Sequence, residues 1–494
     1  MYGKLKLADG DRVFKEALLR GAGKCTTMLA TESARRKYRP LVLWACGHRI
    51  GYDTQVEGTR AWFLYNLIGQ YPSPEPFLDV VEECFFDSVD KGDWMFQQEC
   101  ELLALFAKAG NERARRVLEQ GYGRLLQYLR HLNLARIKSY VPARDNYGSL
   151  CEQLMSCAKP AEAQRVLWRI VMDVGGLCMR DPFWNGMADG VRLSVEFVLG
   201  ERRLACMLGK MRPDPEVEAY KAAVLQVKKA YVNGAAESMR RRTLGYREVY
   251  RQVSEQGTTG ILYMVKRWRL DGRTRDIEGL VKLYAAERDS GTRAGLLDMF
   301  AFSNSFNDSN REECLPLDCV LRDASSNDDR LRASALRVLE GANDPRVHDF
   351  ALDMLKRRGV SYEMLSVLAG NYRQDDDDLL IAASKKFGEV RRHHLGINVL
   401  KCNAGRKGEG LSRRILVYLY ETARCSVCRE KAVRELGRRG LLTDTMLAEC
   451  LNDASVDIRD YANRFLKRRR GKGSSYRWCS FAASVQGDMK AQVG

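Results

Sequence analysis

The sequence contains little that would interrupt a helix or cross a membrane. Only 11 of its 494 residues are proline, the residue that breaks helices most strongly. No apolar run approaches the roughly 18 residues that a membrane-spanning helix needs. The first residues, MYGKLKLADGDR, alternate charged and apolar types and lack the apolar stretch of a secretory signal. We therefore expect a helical, cytoplasmic protein without a membrane span.

Histidine is also scarce, and the cysteines follow no pattern. There are 5 histidines, which leaves few candidates for acid–base or metal chemistry. The 15 cysteines have no regular spacing, and their odd number argues against complete disulfide pairing within the chain. We expect them to be small apolar core residues in a reducing compartment.

The chain is long and carries a large excess of positive charge. Its 494 residues exceed the roughly 250–300 at which a single core stops growing, which predicts several domains or a repeat array. It has 81 Lys and Arg against 64 Asp and Glu, a formal net charge of +17. This excess favours an acidic partner, whether a nucleic acid, an anionic membrane surface or an acidic protein.

An internal repeat occupies the C-terminal half. Its frame reads apolar-Arg-x-x-Ala-x-x-x-Leu and occurs in RLRASALRVLE, VCREKAVREL and DIRDYANRFL, beginning at Leu331, Cys428 and Ile458. Positions i, i+4 and i+8 of a helix lie on one face, so the apolar residue, the Ala and the Leu are predicted to form a buried stripe. The small Ala allows a neighbouring helix to approach closely.

Weaker copies complete the series. They begin at Ser361 and Arg391, so successive frames start 30, 30, 37 and 30 residues apart. This spacing fits one helix pair per unit. Copies with larger apolar residues begin upstream, at Thr59, Phe96 and Thr292.

Short turns with helix-capping residues, such as Asn343-Asp344-Pro345 and Asn452-Asp453, separate the stripes. Together with the frame, these turns resemble HEAT repeats, and the match covers Asp328 to Lys467. The resemblance implies an all-α fold, a right-handed α-solenoid (α-α superhelix) of HEAT-like helix pairs. It also implies that the recurrent Arg links neighbouring units through the turn Asp. We extend this architecture over most of the chain.

Four regions are expected along the chain. Residues 1–200 are predicted to form a divergent helical, HEAT-like region, and residues 201–310 a basic helical middle region with a helix from Asp214 to Tyr231. Residues 311–470 contain the regular repeats. Residues 471–494 are expected to be a flexible basic tail.

The middle region contains the most basic segment. Between residues 240 and 275, ten basic residues face three acidic ones and are interleaved with tyrosines and a tryptophan. Basic side chains bind phosphates and aromatic rings stack on bases, which would suit a nucleic acid. In the alternative interpretation, the arginines are solvated and the aromatic rings belong to the core of two amphipathic helices. The candidate residues for binding nucleic acid or another acidic partner are Arg240, Arg241, Arg242, Arg247, Lys266, Arg267, Trp268, Arg269, Arg273 and Arg275.

A glycine-rich segment and an acidic segment suggest a phosphate-binding loop and a calcium site, but neither has the residues that such a site needs. In the segment from Gly21 to Lys24, Leu18 replaces the first glycine of a phosphate-binding loop, and Cys25 replaces the hydroxyl residue that holds magnesium. A glycine-rich break between two helices is favoured instead. The acidic run 375–378 is interpreted as a solvated helix cap rather than a calcium site.

The cysteine and histidine pairs also lack the context of a known site. Cys425 and Cys428 have the spacing of a zinc knuckle, but no second pair follows, and Cys428 occupies a stripe position. His393 and His394 lie in a stripe-bearing helix without an HExxH-like arrangement. The sequence therefore predicts no catalytic residues, no metal site and no cofactor.

Two functions follow from these observations. The first is a non-catalytic scaffold that binds a protein partner through the solenoid surface. The alternative is binding of the DNA backbone by a basic face, similar to the HEAT-like alkylpurine DNA glycosylases, whose catalytic residues have no match in this sequence. A resemblance to the HEAT-type lyases that handle bilins rests on repeat style alone.

Overall fold

The computed structural model describes residues 9–52, 57–91, 96–131, 142–158, 245–255, 274–302, 316–340, 344–403 and 410–471, with a few isolated positions besides. Every regular element in these ranges is helical, which confirms the all-α class. None of the described helices is both long enough and apolar enough to cross a membrane.

The N-terminal part contributes the first eight described helices. They are α1 (Asp9–Arg20), α2 (Lys24–Met28), α3 (Glu32–Cys46), α4 (Ala61–Ile68), α5 (Glu75–Lys91), α6 (Gln97–Lys108), α7 (Glu112–His131) and α8 (Pro142–Cys157).

After a helical stretch at 246–255, the C-terminal part continues the series, with a 3₁₀ turn at Gln374–Asp376. Its helices are α9 (Thr274–Ala286), α10 (Ser290–Phe302), α11 (Leu317–Ala324), α12 (Asp329–Leu339), α13 (Pro345–Arg358), α14 (Tyr362–Gly370), α15 (Asp377–Ser384), α16 (Glu389–Asn403), α17 (Arg413–Thr422), α18 (Ser426–Arg438), α19 (Asp444–Leu451) and α20 (Val456–Gly471).

Short polar side chains start these helices, as the turn composition predicts. The Asp328 carboxylate accepts hydrogen bonds from the backbone N–H groups of Arg330 and Leu331 at the start of α12. Asp344 does the same for α13, where Pro345 occupies the first turn. Such caps satisfy N–H groups that have no partner within the helix.

The repeated stripes are buried, as predicted. Leu331, Ala335 and Leu339 are at most 5% exposed, and Cys428, Ala432 and Leu436 at most 4%. The upstream copies behave in the same way, because Phe96, Cys100 and Ala104 are at most 1% exposed. Among the exceptions are Leu466, which is half-buried, and Arg391, which is exposed.

The helices of the C-terminal part pack in two rows. In one row α10 contacts α12, which contacts α14, and the contacts continue through α16 and α18 to α20. The intervening helices lie beside this row, with α11 on α12, α13 on α14, α17 on α18 and α19 on α20. Helices therefore contact mainly their near neighbours in the sequence.

The arginine of the frame makes one recurrent contact. Its guanidinium donates to the backbone carbonyl six residues earlier, in the turn before its own helix. The contacts are Arg293 to Glu287 (2.8 Å), Arg332 to Ser326 (2.9 Å), Arg429 to Ala423 (3.4 Å) and Arg459 to Asp453 (2.6 Å).

The same contact reveals a copy that the sequence comparison missed. Arg35 donates to the carbonyl of Leu29 at 3.2 Å, in the frame Ala34-Arg35-x-x-Tyr38-x-x-x-Val42. Tyr38 and Val42 are buried like the Ala and Leu of the other copies. Their different sizes hide the relationship in the sequence.

The predicted link between the arginine and a turn aspartate holds for some units only. Arg429 binds Asp453 of the next turn through two hydrogen bonds of 2.9 and 2.8 Å, and both side chains are buried. Arg293 binds Asp323 similarly. Arg332 pairs with Asp329 of its own helix, and Arg459 binds backbone carbonyls.

The acidic run 375–378 corrects one expectation. Asp376 is 4% exposed and Asp377 8% exposed, so these two carboxylates are buried rather than solvated. Asp376 caps the 3₁₀ turn through the N–H of Arg373 and contacts the imidazole of His348 at 3.1 Å. These polar partners allow the carboxylates to be buried.

Candidate functional site

The N-terminal helices dock against the C-terminal repeats. The backbone N–H of Ala454 donates to the carbonyl of Gly21 at 2.8 Å, and the Arg20 guanidinium donates to the carbonyl of Tyr420 at 3.2 Å. A Cβ atom on Gly23 would lie 1.9 Å from the carbonyl oxygen of Glu449. The glycines of this segment thus allow two backbones to meet. Helix α1, not a strand, precedes them, which excludes a phosphate-binding loop.

A buried ion pair belongs to the same contact. The Arg60 guanidinium lies 2.6 Å from the Glu57 carboxylate, and Arg60 is 1% exposed. Glu57 also accepts a hydrogen bond from the backbone N–H of Ser426, at the start of α18. Burial raises the pKa of the Glu57 carboxyl, although Arg60 and the Ser426 N–H oppose the shift.

A cavity of about 400 Å³ opens where α1 meets α15 to α18. Its walls carry three carboxylates and three guanidinium groups, and Arg424 pairs with Glu389 at 2.6 Å. The charged lining residues are Glu16, Arg20, Glu389, Arg392, Glu421 and Arg424, and His393 and Cys428 also line the cavity.

A cysteine–histidine cluster lies at this cavity. Cys425 precedes the first residue of α18, Cys428 lies in the first turn of that helix, and His393 lies on α16. One donor atom from each of the three side chains lies within 4.8 Å of the other two. The packing of α16 on α18 brings the imidazole to the two sulfurs.

The two nitrogens of His393 have different surroundings. Nδ1 lies 3.2 Å from the hydroxyl of Tyr52, which also stacks edge-on against the imidazole. Nε2 is buried and makes no hydrogen bond of normal geometry, although contact with His393 helps to lower the pKa of the Cys425 thiol. Buried polar atoms are usually satisfied, so this nitrogen requires an explanation.

The two thiols titrate very differently. A hydrogen bond from the Cys428 thiol is the main cause that lowers the pKa of Cys425 to about 3, against the opposing effect of burial. The same hydrogen bond and burial raise the pKa of Cys428. The N-terminus of α18 also favours a thiolate.

This donor set has two chemical uses. Two cysteine sulfurs and one imidazole nitrogen are ligands that Zn²⁺ prefers. A Cys-x-x-Cys pair with a low-pKa first cysteine is also typical of redox sites. Sequence reasoning placed Cys428 in a buried stripe, and its 4% exposure agrees. It missed the proximity of His393, for which the one signal was that the frames at 391 and 428 are consecutive.

The predicted basic site is described only in part. Arg247 is exposed, and its Nε donates to the hydroxyl of Tyr246 at 3.3 Å. Arg275 lies on α9. The remaining candidates, and the predicted helix from Asp214 to Tyr231, lie outside the described residues; those candidates are Arg240, Arg241, Arg242, Lys266, Arg267, Trp268, Arg269 and Arg273.

Comparison with known proteins assigns no family. No protein-family model matches the chain, and no curated protein matches it. Among solved structures, the crystal structure of an engineered protein aligns with 92% of this chain and 99% of its own, at 12% identity and a TM-score of 0.19. A likeness this slight supports neither a fold nor a family for the chain.

Proposed function

We propose that the chain is a right-handed α-solenoid of HEAT-like repeats that acts in the cytoplasm as a non-catalytic scaffold for a protein partner. The observation that carries this proposal is the recurrent arginine contact, which places the same guanidinium on the same carbonyl at Arg35, Arg293, Arg332, Arg429 and Arg459.

The two rows of helices support the same proposal. Each unit contacts mainly its neighbours, and such stacks present a long surface without an inherent active site. Only five large apolar side chains are exposed among the described residues, namely Val13, Trp62, Val360, Val390 and Val456. Recognition by this surface would therefore depend on polar and charged groups.

A basic turn between α15 and α16 is the surface that we expect to bind the partner. Lys385, Lys386, Arg391 and Arg392 are exposed within eight residues, and no described carboxylate pairs with Lys385, Lys386 or Arg392. The one carboxylate within the turn, Glu389, is paired with Arg424. We therefore expect the partner to present an acidic segment.

The test combines capture with reconstitution. Tagged wild-type protein and the charge-reversed variant Lys385→Glu/Lys386→Glu are used to capture partners from cells, and each captured protein is purified and titrated against both. We expect at least one partner to bind the wild type directly and to lose about tenfold or more in affinity for the variant, mainly at low salt. The matched control is Lys356→Glu/Arg357→Glu on α13, which should leave that affinity unchanged.

Binding of DNA is the alternative, and the same proteins test it. Duplex and single-stranded DNA are titrated over a range of salt, because phosphate contacts give an affinity that falls steeply as salt rises. Steep, salt-dependent DNA binding that is lost in Arg240→Glu/Arg241→Glu/Arg242→Glu, without any direct protein partner, would replace the scaffold proposal. If neither a protein nor DNA binds, both functions are wrong.

A further inference from the structure

Three donor atoms that suit a metal converge at the contact between the two parts of the chain. His393, Cys425 and Cys428 come from two helices, and their donors lie within 4.8 Å of one another. In a tetrahedral site with bonds of about 2.3 Å to sulfur and about 2.0 Å to nitrogen, the donors lie roughly 3.5–3.8 Å apart. Rotation of the three side chains could bring their donor atoms about 1 Å closer together, and the donors would then have the spacing of a tetrahedral zinc site.

The orientation of His393 fits a ligand rather than a core residue. Its Nδ1 is engaged by the Tyr52 hydroxyl, and its Nε2 is buried and makes no hydrogen bond of normal geometry. In metal sites the second nitrogen of a histidine is usually held in this way by an outer-shell group, which fixes the ring and its tautomer. An imidazole held by Tyr52 thus keeps Nε2 available.

We propose that His393 Nε2, Cys425 Sγ and Cys428 Sγ bind one Zn²⁺ ion. Two thiolates and an imidazole are soft to borderline ligands, which select zinc over Mg²⁺ or Ca²⁺. Binding releases the thiol protons to solvent, so that both sulfurs coordinate as thiolates.

The fourth position of the ion faces the cavity. His393 and Cys428 line the cavity of about 400 Å³, so a water molecule or a small ligand reaches the metal from that side. Three protein ligands with an open position are the arrangement of reactive zinc sites, whereas structural sites use four. Carboxylates and guanidinium groups line the same cavity, among them Glu389 and Arg392.

The ion would also strengthen the contact between the two parts of the chain. Tyr52 belongs to the N-terminal part, whereas His393 lies on α16 and the two cysteines lie at the start of α18. Because the metal holds the imidazole and the imidazole holds Tyr52, bound zinc stabilises the docked arrangement. A ligand that binds only the folded state raises stability by mass action.

The test uses Co²⁺ as a spectroscopic substitute for Zn²⁺ on the full, reduced chain under anaerobic conditions. We expect one Co²⁺ per chain, with the thiolate charge-transfer band and the intense d–d bands of tetrahedral cobalt, and we expect Zn²⁺ to displace it. His393→Ala, Cys425→Ser and Cys428→Ser should each weaken binding by more than the roughly 10- to 100-fold that loss of an outer-shell partner costs. Tyr52→Phe should itself weaken metal binding by roughly 10- to 100-fold.

The controls separate this site from the other thiols. Cys450 is fully buried in the same repeats but lies outside the cluster, so Cys450→Ala should keep the bands and the stoichiometry. Circular dichroism shows whether each variant folds. Where a ligand variant unfolds, Tyr52→Phe still tests the site, because it leaves all three ligands in place.

Three results would overturn the proposal. One is a folded wild type that gives no thiolate band at any Co²⁺ concentration. Another is a band that persists unchanged in Cys425→Ser or His393→Ala. The third is rapid formation of a Cys425–Cys428 disulfide that is not prevented by Zn²⁺, which would assign the pair to redox chemistry instead.

Discussion

At the scale of single residues, Arg429 shows how one side chain joins two units. It is fully buried and binds both the carbonyl of Ala423 and the carboxylate of Asp453. A buried ion pair contributes little by itself, but removing one partner leaves the other charge buried and unpaired.

Arg429→Met is therefore expected to lower the free energy of unfolding by about 3–5 kcal/mol, because Asp453 would be left uncompensated. Chemical denaturation monitored by circular dichroism measures the change. Arg434→Met on the same helix is the control, since Arg434 is half exposed and pairs with Glu430 near the surface. We expect this second change to cost at most about 1 kcal/mol. Similar losses for both variants would contradict the assigned role of Arg429.

The glycines of the chain make a second residue-scale prediction. Gly23→Ala would place a Cβ atom 1.9 Å from the Glu449 carbonyl and is expected to cost about 1–3 kcal/mol through overpacking. Gly123→Ala lies inside α7, where a Cβ would meet nothing within 4 Å. The control should therefore stabilise the protein by about 0.5–1 kcal/mol. Thermal denaturation measures both changes in stability. We expect Gly23→Ala to lower the melting temperature and Gly123→Ala to raise it.

Glu340 predicts a pH dependence. Burial raises the pKa of its carboxyl, although Ser366 and Asn398 hydrogen-bond to it. A raised carboxyl pKa means that the folded state holds the proton more tightly. Its contribution to stability is thus fully present below the unfolded value near 4.5 and is lost as pH rises through the folded pKa.

Relative to Glu340→Gln, the wild type should therefore lose stability as pH rises above the unfolded value near 4.5. Urea titrations of both proteins at several pH values measure this difference. The matched comparison is Glu278→Gln, an exposed carboxyl on α9, which should show no such trend. A constant difference between wild type and Glu340→Gln would refute the prediction.

At the scale of elements, the periodic apolar pattern predicted the helices and their buried faces well. The stripe at Leu331, for example, depends only on the spacing of side chains around one helix. The copy of the frame at Arg35 was missed, because Tyr38 and Val42 stand where the other copies have Ala and Leu. The hydrogen bond from Arg35 to the carbonyl of Leu29 shows that this segment belongs to the same series.

The cysteine–histidine cluster could not be predicted for a different reason. Cys425 and Cys428 are three positions apart in the sequence, but His393 reaches them only through the packing of α16 on α18. The burial of Asp376 and Asp377 likewise depends on His348 and Ser412, which approach from elsewhere in the chain. Local patterns predict helices and caps, whereas contacts between units decide which polar groups meet.

At the scale of the whole molecule, the two hydrophobic cores meet through residues that are far apart in sequence. Ala454 packs against the N-terminal core, and Tyr52 packs against the C-terminal core. Variants that weaken this contact should therefore lower the stability of both cores. The metal titration tests the contact at Tyr52, and the Gly23→Ala variant tests it at Glu449.

The docking of Arg20 on Tyr420 also has a consequence for biosynthesis. The two residues are 400 positions apart, and ribosomes add roughly 5–20 residues per second, so about 20–80 s separate their synthesis. During that interval the surfaces of α1 and α2 that will meet α17 and α19 lack these partners. The N-terminal helices therefore leave this contact surface exposed to solvent until the last repeats leave the ribosome.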